Sequence, residues 1–280
     1  MLAFGVVMLF MLLGGTVAYL TDTEAGVNVI TIGNVELELK EPQYKKDNSI
    51  LSAGDSLEKD PKLINKGSKD AFVFLEVAVP KRTVTLLYEE TSTVGEGQNA
   101  VTHKEGTPVN ANGTASLEEI YKIIADGHDS GATAVNLTEN GELDNNPPQI
   151  KPQLDFSYNK GDSTNENGRT AGWIYLSREL NKPDGDVPKY DYYYFGYNKK
   201  LRGKTGYTIP LFDRIQLKSF IDEEINNTPN SKANEETKIL ITGYGIQADS
   251  LGISGLDIEG FQDKEMLNKI FNIVKNKRGE

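Results

Sequence analysis

Two histidines, His103 and His128, are the only imidazoles in the 280-residue chain, so metal-peptidase or serine-triad chemistry would have to use them. Zinc hydrolysis needs two or three imidazole or carboxylate ligands at fixed spacing, with a general base beside the bound water. Neither histidine belongs to a His-Glu-x-x-His helix motif, and both lie in a stretch poor in apolar residues. A solvent-exposed helix end explains Gly127-His128-Asp129 as easily as a ligand does. Cysteine is absent, which excludes a thiol nucleophile. A serine triad needs a histidine base, and neither candidate lies near a strand-end serine of the nucleophile-elbow kind. No glycine-rich phosphate loop of Walker or Rossmann form occurs. The carboxylate pairs Glu89-Glu90 and Glu223-Glu224 read as solvated charge. Asp184-Gly185-Asp186 offers calcium a few oxygens but lacks the spaced ligand series of a dedicated loop. The expectation is no catalytic residue, no metal and no cofactor, hence not an enzyme.

A second constellation is aromatic. Tyr190 to Tyr197 reads Tyr-Asp-Tyr-Tyr-Tyr-Phe-Gly-Tyr, a strand with rings on both faces. Tyr192, Tyr194 and Tyr197 form a possible binding face for bases or sugars. The simpler reading is structural, because aromatic residues favour strands and pair across them.

The elements that would position these groups are mostly strands. Phe72 to Val79 is the strongest, with Val73, Leu75, Val77 and Val79 on one face and Phe72 and Phe74 on the other. Apolar on both faces at its start, it belongs at the centre of a sheet, and Pro80 is expected to end it. A second segment follows at Thr83 to Tyr88. Val27 to Leu39 alternates with two changes of phase: Val27 and Val29 share a face, Ile30 and Ile32 the other, and Val35, Leu37 and Leu39 return. Gly33-Asn34 is the pair that tolerates the bend, as in strands that change sheet. Further strands are expected at Gly172 to Ser177, with Trp173 in the core, at Ile209 to Leu217 and at Ile239 to Ile246. Asn198 to Gly206 reads as a basic turn.

From about 89 to 169 the composition turns to Gly, Asn, Thr, Ser and Asp, interrupted by Pro147-Pro148. This span reads as a long decorated insertion carried on the surface, with some short strands of its own. Within it Ser116-Leu117-Glu118-Glu119 is a capping-box pattern, and Leu117, Ile120, Tyr121 and Ile124 fall at helical spacing, so a short helix is expected. Residues 251–280 form a tail with Met266, Leu267, Ile270, Phe271 and Val274 on one helical stripe, expected to dock on its own domain. The fold class is mainly β, a β-sandwich with a short C-terminal helix.

A net charge of −11 argues against nucleic acid as a partner, since phosphate neutralisation needs clustered Lys and Arg. Leu2 to Leu13 is apolar but too short to span a bilayer, which takes ~20 such residues. Followed by the small-residue site Thr16-Val17-Ala18, it reads as a secretory signal peptide over 1–18, cleaved between Ala18 and Tyr19. No Lys or Arg precedes Lys40, so the usual basic segment is missing and the start is open to lie upstream of Met1. No later segment can stop transfer, so the mature form is expected to have no membrane span.

Gly14 through Glu24, Asn28, Thr31-Ile32-Gly33-Asn34-Val35 and Glu41-Pro42 together resemble the SipW-cognate signal-peptide class. That class heads proteins related to the biofilm matrix fibre protein TasA and to camelysin. Lys59 through Gly67 leading into Ala71 to Pro80, then Pro210-Leu211-Phe212-Asp213 and Tyr244-Gly245-Ile246-Gln247-Ala248, look like the same family. The resemblance covers the first ninety residues and roughly 170–250. It implies a jelly roll over 19–250 and a Gram-positive, secreted, extracellular protein of the biofilm matrix or cell surface. It implies polymerisation into fibres by donation of the N-terminal strand, here Tyr19 to Ile32 with Val27, Val29, Ile30 and Ile32 as its apolar side chains. The implied partners are the chain itself as a homopolymer, a related matrix or anchoring subunit, and a dedicated signal peptidase. The C-terminal residues lack the Leu-Pro-x-Thr-Gly wall-sorting pattern, so the product is expected to be free or self-associated. Two other readings stand beside this one: a monomeric surface module binding carbohydrate or protein, and a camelysin-like metallopeptidase.

Overall fold

The alternating stretches become strands in the computed structural model. It describes residues 27–43, 54–84, 91–94, 100–103, 116–138, 153–164, 168–183, 189–218 and 238–278. The first five strands are β1 (Val27–Ile32), β2 (Leu37–Lys40), β3 (Ser56–Glu58), β4 (Lys62–Asn65) and β5 (Ala71–Val84). Next come β6 (Ser92–Val94), β7 (Val101–His103), β8 (Ser116–Glu119), β9 (Tyr121–Ile124) and β10 (Thr133–Thr138). The last are β11 (Gln153–Lys160), β12 (Trp173–Pro183), β13 (Lys189–Tyr197), β14 (Arg214–Leu217) and β15 (Leu240–Gln247), before helix α1 (Lys264–Arg278). One curled sheet runs β1-β15-β5-β13-β12-β11-β9-β14-β3, with β10 beside β11 and β8 beside β5. Two small pairs, β2 with β4 and β6 with β7, complete the strands described.

The two-faced apolar pattern of β5 explains its central place. Val73, Leu75, Val77 and Val79 point into the curl, where they share a core with Phe156, Trp173, Tyr193, Phe195 and Phe212. Phe72 and Phe74 point outward with Tyr194 and Tyr244, and α1 covers them with Leu267, Ile270, Phe271 and Val274. Burying each such side chain contributes about 1.5–3 kcal/mol, so a central strand loaded on both faces holds both layers together. Ile241 faces inward and Tyr244 and Ile246 outward, as their spacing predicts. The phase change at Gly33-Asn34 is a change of sheet: β1 lies on the large sheet, Gly33 takes φ 86°, and β2 pairs with β4.

Several expectations are corrected. Residues 116–124 are not helical: they form β8 on β5 and β9 between β11 and β14. Tyr121 and Ile123 alternate inward around exposed Lys122, and pairing on both edges of β9 outweighs the capping pattern. The expected surface decoration is in part structural, since β8 to β11 are threaded into the main sheet and supply Ile123, Leu137 and Phe156 to the core. Pro80 does not end β5. It stands where β15 stops pairing, at Ala78, and β8 takes over at Lys81, so the missing donor falls at the change of partner. The strand expected from Ile209 begins only at Arg214.

The segment 1–26, with Ala18 and Tyr19, lies outside the described residues. So do 85–90 with Glu89-Glu90, Pro147-Pro148, Asp184-Gly185-Asp186 and Glu223-Glu224.

Candidate functional site

β1 occupies the end of the strand order. It runs parallel to β15 with Val27 opposite Ile241 and Ile32 opposite Ile246. Ile30 and Ile32 are half-buried against the outer core, whereas Val29 is 37% exposed. The turn after β1 is pinned by the Asn34 amide donating to Gln247 Oε1 at 3.1 Å. Among the described residues β1 is paired on one edge only, and an edge strand presents backbone donors and acceptors that a further strand can take up.

The aromatic strand is built differently from an open platform. Tyr192 and Tyr194 lie in the outer core beneath α1, and Lys275 Nζ sits 4.2 Å from the Tyr194 ring centroid. Tyr197 faces inward, its ring 5.2 Å from Trp173 in an edge contact, and burial pushes its phenol up to about 12. Stacking a base or sugar needs an open ring face. These faces are covered.

His128 follows β9 and lies 3.5 Å from Asp213 Oδ1. Asp213 Oδ2 already accepts hydrogen bonds from the Asp126 amide at 2.8 Å and from Asn159 Nδ2 at 3.1 Å. Asp126 is held by Arg214 at 2.7 Å. One imidazole and one remaining carboxylate oxygen do not make a zinc donor set, because a catalytic site takes three protein ligands and a water. Among the described residues no three His, Cys, Asp or Glu come together in a way that would hold a metal. His103 ends β7, in the separate two-stranded sheet, so the fold places the histidines on different units.

A polar group at one end of the inner core matches no sequence motif. Lys81 continues the inward parity of Val77 and Val79 and stands opposite Glu119 of β8. Asp191 of β13 stands opposite Val79, one inward position away. Lys81 Nζ is 3.2 Å from Asp191 Oδ2, with side chains 11% and 5% exposed. Glu119, itself buried, accepts a hydrogen bond from the Tyr193 hydroxyl and is hydrogen-bonded to Asp191. Burial, aided by the Asp191 charge, pushes the Glu119 carboxyl up to about 7. The available signal was parity: charged residues at inward positions of otherwise apolar strands.

Residues 2–85 match the family described as camelysin metallo-endopeptidase. The match runs through β1 to β5, ending just past Val84. No curated protein and no solved structure matches the chain.

Proposed function

We propose that this chain is a secreted structural subunit of an extracellular matrix. It self-assembles by handing its N-terminal strand to a neighbour once the leader is removed. The observation that carries the reading is the place of β1: last in the sheet order, joined to the body at Gly33, and following the apolar leader stretch in sequence with only residues 19–26 between them. An identical strand from a second copy reproduces every β1–β15 contact, so exchange between copies loses no pairing. A leader still held in the membrane keeps that strand from reaching a neighbour, which makes processing the assembly switch. The similarity of residues 2–85 to camelysin supports the same reading, because camelysin and the fibre protein TasA belong to the resemblance drawn above. Negative-stain microscopy of protein beginning at Tyr19, and of the same protein behind a bulky folded extension, tests it. Fibres from the first alone support strand donation. Dispersed monomers from both favour the surface-binding module.

The family's description favours a second reading, a metallo-endopeptidase. Casein cleavage abolished by chelator and restored by zinc would establish it, and cleavage absent under all metals would remove it.

A further inference from the structure

We propose that Lys81 and Asp191 become joined by an intramolecular isopeptide bond between Nζ and Cγ, with Glu119 as the catalytic proton relay. The three residues occupy inward positions on adjacent strands β8, β5 and β13, with Lys81 between its two acidic neighbours. Lys81 Nζ lies 3.2 Å from Oδ2 of Asp191, the oxygen bonded to the Cγ it would attack, so the two groups are already held together. Val79, Ile120 and Tyr193 beside them are buried, so little water competes. The Tyr193 hydroxyl holds Glu119 in place and is a positioning group.

The step begins with one proton passing from the Lys81 ammonium to the Asp191 carboxylate, leaving an amine and an acid, in a setting where burial makes a charged pair costly. The Nζ lone pair attacks Cγ. The carbonyl electrons pass to its oxygen, which takes the Glu119 proton, and the nitrogen returns one to Glu119. Glu119 then protonates the departing hydroxyl, the C–O bond breaks and water leaves. The new carbonyl returns its proton to Glu119, which ends unchanged. The balance is one ammonium and one carboxylate giving one amide and one water, with no oxidant or cofactor. A carboxyl pushed up to about 7 carries a proton in a useful fraction of molecules near neutral pH. Among the described residues, Lys218, itself 2.7 Å from Asp155, also acts on Glu119, and Arg178 acts on Tyr193. A covalent tie between β5 and β13 stops those strands from separating, whatever the N-terminal strand does, so the inference does not rest on the assembly reading.

The test is peptide mapping of the folded full chain after denaturation and trypsin digestion. The expected product is Asp70–Arg82, uncut at Lys81, linked to Tyr190–Lys199, lighter than the two peptides together by one water, about 18 Da. Free Tyr190–Lys199 with cleavage after Lys81 as the dominant result overturns the bond. Glu119→Gln, checked for folding by near-ultraviolet circular dichroism, is expected to yield the separate peptides. A linked product from that variant overturns the role of Glu119. If the variant does not fold, the wild-type digest still decides whether the bond exists.

Discussion

Protonation of the Glu119 side chain bears on the folded state near neutral pH. Its carboxyl is raised from the ordinary 4.5 to about 7, burial being the main cause, and burial acts whether or not Asp191 is amidated. Between those values the folded chain holds a proton that the unfolded chain has released, so stability must fall as pH rises through that window. The slope is at most about 1.4 kcal/mol per pH unit. Melting temperatures measured from pH 4.5 to 7 are expected to decline, and Glu119→Gln to flatten the decline. Asn159, fully buried, donates to the Pro210 carbonyl and accepts from the Gly127 amide. Asn159→Ala leaves both without their partner and is expected to cost about 1–3 kcal/mol in urea unfolding. Neither role shows in sequence, since the partners of Asn159 lie 32 and 51 positions away. The triad of Lys81, Glu119 and Asp191 was half legible, because parity marks a charged residue as inward without saying what it meets.

Local spacing marks the elements of this chain but not their partners. The two-faced β5, the aromatic β13 and the stripe of α1 follow from local spacing alone. The capping-box segment misled because four-residue strands are too short for their period to show, and β9 is fixed by neighbours distant in sequence. The composition of 89–169 hid β11, although Leu154, Phe156 and Tyr158 alternate within it. Helix α1 is the cover of the outer core: the Phe271 ring lies 4.9 Å from Phe74 and 5.5 Å from Tyr194. Phe271→Ala is expected to cost about 3–5 kcal/mol by urea unfolding, with the inner core unaffected until the global transition. Gly33 takes φ 86°, and a Cβ there would stand 3.0 Å from Gln247 Cβ. Gly33→Val is therefore expected to loosen β1 selectively, seen as faster amide exchange in β1 than in β5.

At the scale of the molecule, two layers share one sheet: an inner core inside the curl and an outer one under the helix. β1 stands at the end of that sheet, where a neighbour's copy of the strand would bind if the chain assembles as proposed. A net charge of −11 keeps single copies apart, so assembly should be favoured by salt. The absence of cysteine makes one measurement unusually clean. Asn28 of β1 stands opposite Thr242 of β15. Asn28→Cys and Thr242→Cys, placed on separate molecules beginning at Tyr19, are mixed, allowed to assemble and oxidised. Strand donation predicts disulfide-linked pairs containing one of each variant, at a yield that rises with protein concentration. If no mixed pair forms while a single molecule carrying both substitutions closes its own disulfide, β1 stays within its own chain and strand donation is wrong.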